Sequence, residues 1–467
     1  MTIDILSLHQ SKIIKTDGRL RLAMITVWSL FVIALLNGGL YYSQQNKVRQ
    51  EAQKATYGQW VNQPKKNPHS AAHYGFYAYK PLSVMTVMDK GLEDYLGSAI
   101  WLEAHNQNEV KIRPIQDATF LARFGDITVG FVWQFLFPLL VILFAFNTIT
   151  SEREQATLKM LLVSGVSKYD IVRAKFWSVY QIVMKLFIPT FLALNVVMMI
   201  LNSTNYVSLI PHLLVLLIFQ SLYLAFFTVI GVSVSALSKR SGYALFNLLC
   251  LWILVSFLIP RFNGLIANKV FPTQTAFSFW KEMKKESNIG AKERNEALEK
   301  EYLTKYKVDS IQHLPINFVG IQLQDGEKHG DEIHEKFYGN LNNTLEKQDK
   351  VIELGAIISP VTAMRNISMA LAGTDSDKQK TFEAQSETHR RMIQKTMNEA
   401  IVEAPKDEKG AIPMTETSLW EKVPQFQYQE LNIMQVLGNQ WLNLVVLLSW
   451  SLIGWYFLKN ISKKIVV

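Results

Sequence analysis

TVGFVWQFLFPLLVILFAFNT, residues 128–148, carries no formal charge. A bilayer core takes about 20 apolar residues of helix, so this run is long enough to cross one. Its apolar residues lie all round rather than on one stripe, which separates a spanning helix from an amphipathic surface helix. Directly behind it comes NTITSEREQATLKMLLVSGVSKYDIVRAKF, residues 147–176, where charges and helix-start signals return. The chain leaves the bilayer there, turns, and goes back.

Working outward, five further runs qualify, over about 22–42, 180–201, 207–235, 243–260 and 441–457. The expectation is an all-α membrane protein of six transmembrane helices. An even number of spans places both termini on one side, because lipid satisfies no backbone group outside a helix. A polar stretch of about twenty residues precedes the first run and no small-residue cleavage site follows it, so that run reads as a permanent anchor. The chain therefore divides into 1–42, 43–127, 128–260, 261–440 and 441–467. The two long segments, 43–127 and 261–440, are expected to build one large domain. In the second, 277–307, 332–354 and 378–402 read as charge-laced helices, with Lys292, Glu296 and Lys300 at helical spacing. Residues 404–413, with two prolines, read as a loop.

The sequence holds 48 Lys and Arg against 39 Asp and Glu, a net charge of +9. Such an excess suggests nucleic acid until its location is known. The side with both termini carries Lys12, Lys15, Arg19, Arg21, Arg153, Lys159, Lys168, Arg173, Lys175, Lys239, Arg240, Lys459, Lys463 and Lys464. Only Asp4, Asp17, Glu152, Glu154 and Asp170 oppose them there. That side holds the whole excess, and the long segments are nearly neutral. By the positive-inside rule it is cytoplasmic and the large domain is extracytoplasmic, in a bacterial inner membrane. Topology explains the charge, and no nucleic-acid partner is expected. The one cysteine, Cys250, allows no intrachain disulfide, so the outer domain holds by packing.

Within 147–176, Ser151 with Glu154 reads as a capping box, and Leu158, Leu161 and Leu162 form an apolar face at i, i+3, i+4. Gly165 is placed to end this helix, expected over 151–166. Ser167 with Asp170 reads as a second capping box opening the next. A short amphipathic helix followed by a tight turn suits docking into a groove on a soluble partner; an interfacial helix without a partner fits the pattern equally.

This segment resembles the coupling-helix region of ABC-2-type permeases, which reads E-R-E-x-G-T-L-x-x-L-L-x-x-x-x-S. Glu152, Arg153, Glu154, Thr157, Leu158, Leu161, Leu162 and Ser167 are in register. Ala156 stands where that family usually has glycine. Residues 81–124, 259–280 and 359–374 are similar to a subfamily with a large extracytoplasmic insert of unknown function. That subfamily in turn resembles the membrane subunits of gliding-motility and nitrous-oxide-reductase-maturation transporters. The resemblance implies a type V exporter fold with six spans per subunit and a homodimer in the lipid bilayer served by two ABC ATPase subunits. A periplasmic or outer-membrane partner for the insert is compatible with it. The chain has no Gly-Lys dipeptide and so no phosphate-cradling G-x-x-x-x-G-K-[ST] loop. ATP and magnesium are therefore expected on the partner, with no cofactor in this non-catalytic chain.

Other candidates read more plainly. His329, Asp331, Glu332 and His334 in HGDEIH match no zinc signature and read as a solvated polar turn, and Asp325 and Glu327 as a solvated face. Lys185 is a charge within a span, either a translocation-path or inter-helix contact or a side chain snorkelling to the interface. Arg365 reads as a cargo contact or, more simply, as a structural ion pair of the insert, and Gly38 and Gly39 as a close-packing site within or between subunits. Two other functions stay open: ATP-driven mechanical signalling to extracytoplasmic partners without transport, and a membrane-anchored extracytoplasmic enzyme, against which no catalytic spacing stands out.

Overall fold

The computed structural model describes residues 2–117, 126–404 and 414–464. An amphipathic helix, α1 (Thr2–Thr16), lies before the first span and packs along α7 (Lys168–Leu201). The spans are α2 (Gly18–Val61), the stretch Val129–Glu154, α7, α8 (Tyr206–Leu237), the stretch Ser241–Val270 and α17 (Trp441–Lys463). Among the described residues these six helices are long and apolar enough to cross a bilayer, and the protein is an all-α membrane protein.

The second span is not a plain α-helix. A π-helical turn, Val132–Leu136, precedes α4 (Phe137–Ala145). Such a turn strains the backbone ladder, and in lipid every loosened carbonyl needs a partner. α8 supplies them: Gln220 Nε2 donates to the Trp133 carbonyl at 3.0 Å and the Tyr223 hydroxyl to the Gln134 carbonyl at 2.6 Å. The Trp133 indole N–H donates to Thr190 Oγ1 of α7 at 3.0 Å.

The first long segment begins as a continuation of the first span. α2 runs 44 residues without a break, about 66 Å at 1.5 Å per residue, roughly twice a bilayer core. Its polar half enters the large domain, followed by α3 (Pro68–Ala72) and an antiparallel pair, β1 (Phe76–Tyr79) with β2 (Ala99–Leu102), which pairs Phe76 with Leu102 and Tyr79 with Ala99. The second long segment contributes α11 (Ala276–Ser287), α12 (Ala291–Tyr306), α13 (Phe318–Leu354), α14 (Pro360–Ala372) and α15 (Ser376–Val402). The expected single helix over 277–307 is two, parted where Gly290 takes φ +70°. The loop expected over 404–413 falls, apart from Ala404, outside the described residues.

Both segments share one core, in which Trp60, Phe76, Leu102, Phe382, Met397 and Trp420 are buried together. The Trp60 indole donates to the Trp420 carbonyl at 3.0 Å. Where this domain meets the membrane bundle, Arg49 and Lys80 flank Glu93 at 2.8 and 3.0 Å, and all three are buried. α14 sits against α8 and α17, with the Ser359 hydroxyl donating to the Val255 carbonyl at 2.6 Å.

HGDEIH is no solvated turn. It lies inside α13, where Gly326 and Gly330 are tolerated because flanking contacts hold the helix. Asp325 pairs with Arg294 at 2.9 Å, Asp331 with the buried Arg390 at 2.5 Å, and Ile321 and Ile333 are buried. Glu327, read as solvated, is buried too.

Candidate functional site

After α4 the chain turns into α5 (Thr150–Glu154). The expected Ser151 cap is not formed: Ile149 stands at the cap position with no side-chain bond, and Ser151 is inside the helix. The first amides are satisfied from outside, Ile149 and Thr150 N–H both donating to Ser235 Oγ of α8, at 3.0 and 3.3 Å.

The three charges of α5 each reach a different span. Glu152 Oε1 pairs with Lys175 of α7 at 2.5 Å, and that buried ammonium also donates to Gln10 of α1 at 2.7 Å. Arg153 donates to the carbonyls of Ala236 (3.0 Å) and Ser238 (2.5 Å) at the C-terminal end of α8. Glu154 accepts from the Ser241 amide at 2.7 Å and its hydroxyl at 2.8 Å, where α9 (Ser241–Ile253) begins. For Arg153 and Glu154 the sign matches the helix end each meets, a cation on free carbonyls and an anion on free amides.

The expected helix over 151–166 is broken. Ala156 takes φ +61°, and a second short helix, α6 (Thr157–Val163), starts after it. This left-handed position explains the glycine usual there in the resembling permeases. The Thr157 hydroxyl bonds the Glu152 carboxylate, tying α6 back to α5. Gly165, at φ +87°, ends α6 in a Schellman arrangement: its N–H bonds the Leu162 carbonyl at 3.1 Å and the Val166 N–H bonds that of Leu161 at 3.2 Å. Ser167 then caps α7, its Oγ accepting from the Asp170 amide at 3.1 Å. Asp170 does not complete a box by reaching back to the cap amide; its carboxylate accepts the Ser167 hydroxyl at 2.6 Å.

The faces of α6 are the reverse of a simple docking expectation. Leu158 is 1% exposed, and Leu161 and Leu162 pack on the bundle core. The free side presents Met160, 70% exposed, and Val163, 83% exposed, beside Lys159. Both were legible as apolar residues off the Leu158/Leu161/Leu162 stripe, a place where a partnerless helix has no reason to keep two.

Residues 100–272, which hold this whole arrangement, match a family described as ABC-2 family transporter protein. The membrane part of the chain is thus similar to ABC-2 family transporter proteins. Residues 276–429, most of the polar domain, match a domain of unknown function (DUF3526). No curated protein matches the chain.

Remaining candidates fall apart from this site. Lys185 lies exposed on the flank of α7. Arg365 is exposed on α14, along a cleft it shares with Asp349, Glu353 and Asp377. Gly38 is an intra-chain close approach: a Cβ there would stand 2.5 Å from the Val87 carbonyl oxygen, whereas Gly39 meets only the Val197 and Leu201 side chains.

Proposed function

We propose that this permease subunit works as half of an ATP-driven exporter in a bacterial inner membrane. Two copies pair, and two ABC ATPase subunits, which hold ATP and magnesium, dock on α6 from the cytoplasm. The polar domain lies on the opposite, periplasmic side. One observation carries this reading: an exposed apolar helix, α6, is tied through Thr157 and α5 to the ends of three separate spans. A partner that shifts α6 thereby displaces α7, α8 and α9 together. Outward delivery is supported by an open cleft of about 840 Å³ at the far ends of α7 and α8, lined by Asn202, His212, Asp375, Lys378 and Glu430.

The test replaces Met160 and Val163 by Asp. Both side chains are exposed, so the fold stays intact, while a desolvated carboxylate in an apolar interface costs several kcal/mol. Copurification of the ATPase is expected to fall at least tenfold. Recruitment equal to wild type sinks the docking assignment.

A second reading rests on α2. Its unbroken course from the membrane into the core of the polar domain suits a subunit that transmits force to an outer partner without carrying cargo.

A further inference from the structure

Away from the membrane, three imidazoles converge. His69 lies on α3 and His73 follows one turn later, placing both rings on one face. His105 comes just after β2. Ring centroids are 4.8 Å apart for His69 and His73, 4.6 Å for His69 and His105, and 4.4 Å for His73 and His105. One ligating nitrogen from each ring lies within 4.8 Å of the others.

The surroundings fix this cluster. The Ala104 amide donates to the Ala72 carbonyl at 3.3 Å, locking the end of β2 against α3. Arg390 holds the Ala104 carbonyl from α15 at 2.6 Å. His105 Nδ1 donates to the carboxylate of Glu327, which is 6% exposed and also accepts from Asn398 at 2.5 Å. A neutral ring with its proton on Nδ1 presents a lone pair at Nε2. That Nε2 is buried without any hydrogen-bond partner, and its ring lies against the two other rings. An unmet buried acceptor is destabilising, and three imidazoles cannot satisfy one another with protons alone.

We infer that His69, His73 and His105 bind a late first-row divalent cation, zinc by preference, with Glu327 as the positioning carboxylate behind His105. The separation of His69 Nε2 and His73 Nε2 is 3.3 Å. That is about the tetrahedral edge for two nitrogens each roughly 2.05 Å from zinc. Neutral nitrogen ligands suit zinc, copper, nickel or cobalt and not magnesium or calcium, which take oxygen. Glu327 on His105 forms the carboxylate–histidine pairing that orients metal ligands. His73 is exposed, so the fourth coordination position opens to solvent.

The experiment uses the full chain in detergent, purified without a histidine tag, stripped by chelator and dialysed against micromolar free zinc. About one zinc per chain is expected by mass spectrometry, with tetrahedral d–d bands when cobalt replaces it. His73→Ala alters an exposed ring, so its metal-free melting temperature should match wild type while zinc affinity falls at least tenfold. Glu327→Gln is expected to weaken zinc by about 10–100-fold. Wild type that holds no zinc, or His73→Ala that binds zinc and gains melting temperature as wild type does, overturns the assignment.

Discussion

Glu93 sits between Arg49 and Lys80 with all three side chains nearly out of water, and its neighbours are two cations to one anion. Burial pushes the Lys80 ammonium below its usual range, and Glu93 pulls it back. Removing the carboxylate leaves two uncompensated charges, and breaking a buried pair from one side costs about 3–5 kcal/mol. Glu93→Gln is therefore expected to lower the melting temperature of the detergent-solubilised protein markedly, whereas Lys65→Gln, at an exposed pair with Glu416, leaves it within error. Equal effects of the two would refute this account of the junction. None of it was legible in the sequence, where Arg49, Lys80 and Glu93 are unremarkable charges in a polar segment. Their burial follows from tertiary contacts tens of residues apart. The same holds for Glu327: a charge at helical spacing among other charges reads as solvated until His105 and Asn398 are brought to it.

At the scale of elements, apolar length marked every span, because the bilayer imposes one physical requirement on each. Element ends were less legible. α2 passes Tyr42 into QQNKVRQEAQKA, strong helix formers with no glycine or proline to stop them, so the limit of hydrophobicity is not the limit of the helix. Within 147–176, the stop at Gly165 and the start at Ser167 were readable from local chemistry alone. The break at Ala156 was not, since alanine is the best helix former and only the bonds from Glu152, Arg153 and Glu154 to three spans force it left-handed. A Cβ in that conformation costs about 1–2 kcal/mol. Ala156→Gly is thus expected to stabilise the protein by about 1 kcal/mol, read as a rise in melting temperature with ATPase recruitment unchanged. Ala156→Val, β-branched at positive φ, is expected to lower both. A stabilising valine would show that the turn is not left-handed in the membrane.

At the scale of the molecule, the question is whether the polar domain moves with the bundle or merely sits on it. α2 joins them as one rigid rod, while the buried Arg49–Glu93–Lys80 cluster and α14 brace the junction at its side. Gln44 is exposed on α2 just beyond the apolar run, so Gln44→Pro disturbs little packing there. Proline inside a helix removes one backbone bond and costs about 3 kcal/mol or more, bending or parting the rod. With Cys250 replaced by serine, cysteines at exposed positions 155 and 395 accept spin labels at the turn between α5 and α6 and on α15. In the complex with its ATPase, ATP is expected to change the distance between these labels when α2 is intact. In Gln44→Pro the change should vanish while ATP hydrolysis continues, because α6 and its ties to α7, α8 and α9 are untouched. If the distance change survives the proline, force reaches the polar domain through α14 and the spans beneath it, and the rod is only a tether. Loss of hydrolysis as well would place α2 inside the coupling itself, upstream of the three-span tie.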